Sequence, residues 1–203
     1  MPAAKRIPPG RAGRLWLHRH LSTAQRGRDQ LDRKLRILVP ERQLRWTQAE
    51  QCGAEWLRTC EEARTWLLRV SLLGGQDAVR AASVGPPLQV EISWATAMGL
   101  RYPDSVTFTG AGPEPPYLGN AAVRPAAAAF RAAMLAGART AAAQEALRRI
   151  DEEIGITRRR VRALDKRWIP WLRASLASLD LALEQAEQDD GARLRRTTST
   201  GPR

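Results

Sequence analysis

The chain has 203 residues, 43% of them apolar and 27% charged, with a net charge of +12 at neutral pH. That apolar share excludes a wholly disordered chain, and the length suits one domain or a domain carrying an insert. Lysine stands only at Lys5, Lys34 and Lys166, so the positive charge is guanidinium charge, which seeks carboxylates or phosphates on nucleic acid, an anionic membrane face or an acidic protein.

Residues 1–11 read as a loose basic arm, because Pro2, Pro8, Pro9 and Gly10 prevent a regular element. The first ten residues lack the apolar stretch of a secretory signal, and no run nears the roughly 20 apolar residues that span a bilayer. The expectation is a cytoplasmic chain with no direct membrane insertion. Residues 12–75 carry a seam in alternating steps of three and four: Arg14, Leu17, Leu21, Ala24, Arg28, Leu31, Leu35, Leu38, Arg42, Arg45, Ala49, Cys52, Trp56, Thr59, Ala63, Trp66, Val70 and Leu73. A period of about 3.5 residues held this long predicts a coiled-coil helix, which needs a partner helix in water. Pro40 removes a hydrogen bond and clashes with the preceding turn at a cost of ~3 kcal/mol, so a kink or a break near Val39 is expected.

Gly74-Gly75 closes this helix, with room for a short helical turn over 76–83, and Gly85-Pro86-Pro87 marks a loop. Residues 76–124 form an insert. In it, Leu88, Val90, Ile92 and Trp94 alternate with polar residues, as do Val106 and Phe108, which predicts two short strands in a hairpin. Residues 110–120 read as a proline- and glycine-rich loop. Pro125 suits an early helical position, and a second coiled-coil helix is predicted over 125–196. Its stripe runs Leu147, Ile150, Ile154, Val161, Leu164, Trp168, Leu172, Leu176, Leu179, Leu183 and Ala186. The three spacings of four from Leu164 to Leu176 break the heptad rhythm, which relaxes supercoiling locally, and Pro170 is expected to kink the helix there. Residues 197–203 read as a flexible tail. The predicted fold is mainly α: a long antiparallel two-helix coiled coil with a small β-hairpin-containing insert.

Chemistry-bearing motifs are sparse. None of the lysines sits in the Gly-Lys-Ser/Thr setting of a phosphate-binding loop, and Gly110-Ala111-Gly112 suits a turn. His18 and His20, two apart on a helix, point to different faces and cannot chelate one metal together. Cys52 and Cys60 lie about 12 Å apart along a helix axis, too far for a disulfide. Asp151-Glu152-Glu153 is read as a solvated face. No catalytic residue, cofactor or metal is therefore expected.

The remaining candidates are contact residues. Trp56, Trp66 and Trp168 fall on the seams and are assigned to the core. Trp46 and Trp171 fall beside them, where aromatic residues mark docking surfaces. Arg158, Arg159, Arg160, Arg162 and Arg167, with Lys166, form the densest basic cluster, and Arg14, Arg19, Arg26 and Arg28 belong to a second basic stretch. These arginines with Trp46 and Trp171 are the candidate partner-binding residues. A basic coiled-coil protein that binds nucleic acid, or a generic scaffold, is the alternative; no helix-turn-helix, zinc or RNA-recognition signature supports the former.

Residues 157–170, Thr-Arg-Arg-Arg-Val-Arg-Ala-Leu-Asp-Lys-Arg-Trp-Ile-Pro, resemble the TRRRVNALE…IP signature of the D subunit of V-type and A-type ATPases. Leu183-Glu184-Gln185-Ala186-Glu187 is similar to that family's LEE-x-E ending, Leu31-Asp32-Arg33-Lys34-Leu35 to its LL-x-RK helix, and Ala97-Met98-Gly99-Leu100-Arg101-Tyr102-Pro103 to its VMGV-x-x-P segment. The matches fall in the family's order. Arg162 stands where the family has Asn, Asp165 where it has Glu, and Pro40 interrupts a helix that is continuous in the family. The resemblance implies a non-catalytic central rotor stalk. Its implied partners are a hexamer of A and B catalytic subunits, the F subunit, and the subunit linking the stalk to the membrane ring, at the cytoplasmic face of the cell membrane.

Overall fold

The structure, a computed structural model, describes residues 7–82, 89–109 and 120–199. The loop expected at 85–87, all but the last residue of the loop expected at 110–120, the strand position Leu88, and the ends of the arm and tail lie outside these. The element order is α1 (Gly10–Ala82), β1 (Gln89–Ala97), β2 (Leu100–Thr109), α2 (Val123–Ala163), a π-turn (Leu164–Trp168) and α3 (Ile169–Ser199). Long helices around a two-stranded antiparallel hairpin make the fold mainly α, as the seam periodicity predicts. The chain divides into two compact units, Met1–Leu35 with Ile156–Arg203, and Arg36–Gly155.

Beyond its first residue, Gly10 (φ 71°), the non-helical backbone within α1 is at Gly75 (φ 64°), a left-handed conformation that glycine adopts without penalty. Pro40 lies inside the helix and does not break it. It sits on the exposed face four residues after exposed Arg36, so water reaches the carbonyl that its missing N–H leaves unpaired.

In the first unit, α1 and α3 run antiparallel: Arg14 pairs with Asp180 and, further along α1, Arg28 pairs with Asp165. Leu17, Ala24, Ile169 and Leu172 form the buried core, with Trp16, Leu21, Leu164, Leu176 and Leu179 packed around it. Fully burying a leucine such as Leu17 or Leu172 contributes about 1.5–3 kcal/mol.

The α2 seam is regular in steps of three and four from Ala126 through Leu164, passing Ala129, Ala133, Ala136, Thr140, Ala143, Leu147, Ile150, Ile154, Thr157 and Val161, all buried or half-buried. The next seam residue is Ile169, five along, followed by Leu172, Leu176, Leu179 and Leu183. The π-turn supplies the extra residue, with the Ile169 N–H donating to the Leu164 carbonyl. This corrects the expected run of three fours: Trp168 leaves the seam and Ile169 replaces it. Pro170 explains the location. Its ring clashes with, and its nitrogen cannot donate to, the carbonyl four residues back, and a widened turn relieves that crowding.

In the second unit the antiparallel pairing runs from Arg42–Asp151 to the Asn120 amide donating to the Val70 carbonyl. Ala63 packs with Ala129 and Ala133, and Val70 with Ala122, Val123 and Ala126. The polar seam residues Thr59 and Thr140 are buried, and each hydroxyl donates to a carbonyl four residues back in its own helix, so neither is left unsatisfied. Trp56, assigned to the core, is partly exposed with its indole beside Gly137, and Leu73 is also exposed.

The hairpin pairs Gln89 with Thr109 through Ala97 with Leu100, with Asp104 the extra residue of a bulge opposite Ser93 and Trp94. Met98 and Gly99 form the two-residue turn, both at positive φ (49° and 78°), which matches the twist of the flanking strands. Tyr102, Pro103 and Val106 are buried, while Val90, Ile92 and Trp94 on β1 are exposed.

Candidate functional site

The hairpin is fastened by a polar network that the sequence patterns do not reveal. The Tyr102 hydroxyl donates to Glu41 Oε1 at 2.9 Å, Arg45 lies over the Tyr102 ring at 5.0 Å, and Arg45 bridges Glu41 at 2.8 Å and Asp104 at 2.9 Å. Burial, then the hydrogen bond to Glu41, raises the Tyr102 phenol above its usual range. On α2, Arg149 donates to the Arg101 carbonyl and lies over the Trp94 ring, which Arg101 also covers. Arg45 sits on the α1 seam where an apolar residue is the rule. Its carboxylate and aromatic partners, from elements distant in sequence, explain why it is tolerated half-buried.

The predicted contact residues fall into two groups. Arg14 Nε lies 2.9 Å from Asp180 Oδ1, charge to charge without hydrogen-bond alignment. Arg28 is engaged with Asp29, Asp32 and Asp165, and these carboxylates raise its pKa, the hydrogen bond to Asp29 most, then the charges of Asp32 and Asp165. Arg26 bonds to its own helix through Ser22 and Thr23. Arg19 is exposed, as is Trp46.

The second group is different. Arg158, Arg159, Arg160, Arg162 and Arg167 are all exposed, and among the described residues none has a carboxylate partner. Trp171 is 40% exposed and stacks on Trp168, itself 39% exposed, with ring centroids 5.0 Å apart and planes at 23°. Sequence periodicity misses Trp168 as a surface residue because an uninterrupted α-helix would place it on the seam. The spacing of three between the two tryptophans is the signal that pairs them.

No group of three or more His, Cys, Asp or Glu side chains that could hold a metal is found among the described residues. No described helix is long and apolar enough to cross a membrane. Two apolar hollows lie in the second unit. One, of about 370 Å³, is lined by Leu67, Val70, Val79, Val123, Ala126 and Phe130, and the other by Trp56, Cys60, Ala63, Leu67, Phe130 and Met134. Neither carries convergent polar groups, so neither has the make-up of a reaction site.

Paired helices with seams, a fastened hairpin, and exposed arginine and indole surfaces are the features that the described residues present. The sequence pattern of the ATP synthase D subunit family matches residues 15–199, and the chain belongs to that family. It is 33% identical over 193 residues to the V-type ATP synthase D subunit of Thermus thermophilus, covering 94% of this chain and 86% of the relative. It is 29% identical to the V-type ATP synthase D subunit of Thermotoga neapolitana (94% and 96% covered) and 29% identical to the A-type ATP synthase D subunit of Pyrococcus horikoshii (97% and 95%).

Proposed function

We propose that the chain is the central stalk of a V/A-type rotary ATPase, a non-catalytic rotor that couples ATP hydrolysis or synthesis in a hexamer of A and B subunits to ion movement through a membrane ring. The observation that carries this is family membership along nearly the whole chain, 15–199, joined to a fold of long paired helices. The partners are the A and B subunits, the F subunit, and the subunit joining the stalk to the ring. The chain is peripheral at the cytoplasmic face of the membrane and takes no cofactor.

A turning part must meet successive partners without being held by any of them. Exposed ion pairs suit this, since each contributes only about 0–1 kcal/mol. Each orientation of an asymmetric rotor offers a different set of contacts to each catalytic site, and the differential contact biases that site's conformation. Arg14, Arg19, Arg26, Arg28, Trp46, Arg158, Arg159, Arg160, Arg162, Arg167 and Trp171 are proposed partner contacts, the 158–171 group first because its cations are unpaired among the described residues.

Affinity capture of the tagged chain from native extract, read by mass spectrometry, tests the assignment. Recovery of A, B and F subunits is expected, and the purified chain alone should hydrolyse no ATP. Recovery of DNA or ribosomes alone contradicts the assignment and favours a basic nucleic-acid-binding protein.

A further inference from the structure

An unbroken α-helix through residues 164–176 would carry Trp168 on the seam, four residues after Leu164. The π-turn instead brings Ile169 to the buried position and turns Trp168 outward, where it stacks on Trp171. π-turns are rare, and single ones within α-helices gather at functional sites. Keeping two indoles about 40% exposed forgoes burial that an inward Trp168 would supply.

The widened turn also sets the neighbours of the pair. Side chains one turn apart share a helix face, at spacings of four in an α-helix and five across a π-turn. Arg158, Arg162, Arg167 and Trp171 follow those spacings, so three exposed guanidiniums lead along one line to the indole pair. Asp165, the carboxylate within the π-turn, is engaged with Arg28 at 3.3 Å. Arg158, Arg162 and Arg167 have no carboxylate partner among the described residues.

We infer that this arginine line and the Trp168–Trp171 stack form one docking surface for a carboxylate-bearing segment of a partner protein, with the indoles receiving an apolar or planar side chain at its end. Charge complementarity selects the partner: a line of planar, fixed-charge donors matches carboxylates in bidentate geometry. Exposed tryptophans and arginines are the residue types that dominate binding energy at protein interfaces. The choice of protein over nucleic acid rests on the ATP synthase assembly proposed above.

The test titrates the full-length chain into a purified hexamer of A and B subunits at several salt concentrations. It compares the wild type with the triple variant Arg158→Gln/Arg162→Gln/Arg167→Gln and the double variant Trp168→Ser/Trp171→Ser. All five side chains are exposed or partly exposed, and thermal melts of each variant monitor folding. The arginine variant is expected to bind about tenfold more weakly at low salt, with a flatter salt dependence. The tryptophan variant is expected to lose about tenfold in affinity with the salt dependence unchanged. Folded variants that both bind within twofold of wild type would overturn the docking surface and leave the assembly assignment standing. Failure of the wild type to bind the hexamer would overturn both. Tighter binding of a single-stranded oligonucleotide than of the hexamer, lost in the same variants, would replace the acidic protein with a nucleic acid.

Discussion

Trp168 and Ile169 are adjacent in sequence and differ in environment because one wide turn separates two seams. Ile169 is buried against Leu17, Ala24 and Leu172, so Ile169→Ala should cost about 2–5 kcal/mol, as a core truncation does. Trp168→Ala should cost about 1 kcal/mol, mainly the lost stacking on Trp171. Chemical denaturation of the two variants checks the order, and a reversed order would place Trp168 in the core. Glu145 gives a second residue-scale test. Hydrogen bonds from Arg148, then Arg149, lower its pKa from 4.5 to about 2. A folded-state pKa below the unfolded value means that the carboxylate stabilises the fold above about pH 4.5, and that this contribution fades as pH falls towards 2. The group is substantially solvated, so the effect is screened to under about 1 kcal/mol. Melting curves of the wild type and Glu145→Gln from pH 6 to pH 2 should show the wild type ahead at pH 6 and the difference closing by pH 2. A constant difference would contradict the assignment.

The helices show which parts of the structure local pattern can specify. Seam periodicity locates both long helices and most of their buried faces, because a 3.5-residue repeat follows directly from helix geometry. The alanine seam from Ala126 to Ala143 is less legible, since alanine is common on either face of a helix and its burial depends on what lies opposite. Periodicity also fails at Leu164–Trp168, where a spacing of five mimics a run of fours as long as Trp168 is taken as the seam residue. Arg45 and Tyr102 are illegible for another reason. Their contacts join α1 to β2 across a gap in sequence that no local window covers. The π-turn predicts a deletion phenotype. Removing Lys166 makes the step from Leu164 to Ile169 four residues, which an ordinary α-helix accommodates with both residues still on the seam. In a Pro170→Ala background, where no ring crowding returns when the wide turn is lost, the deletion should melt within about 3 °C of its parent, whereas removing Ala177 from the same parent throws Leu179 and Leu183 off the seam and should lower the melting temperature by roughly 10 °C. Equal losses from both deletions would show that the extra residue is not absorbed at 164–168.

For the molecule as a whole, composition and function meet in the arginine surface. A net charge of +12 carried almost wholly by arginine suits the proposed rotor, whose contacts with acidic surfaces would be many and weak, and family membership supplies the setting. The site is only partly legible in sequence. Arg158–Arg160, Arg162, Arg167 and Trp171 are marked by charge density and by lying off the seam, but the arginines' lack of a carboxylate partner among the described residues and the exposure of Trp168 require the fold. The proposed role requires this chain to turn inside its assembly. Its most direct test fixes the A and B hexamer to a surface, attaches a bead to this chain, and records bead orientation as ATP is added. Stepwise rotation in one direction that stops when ATP is removed is expected; a bead that stays bound and stationary while the hexamer hydrolyses ATP would contradict a rotor.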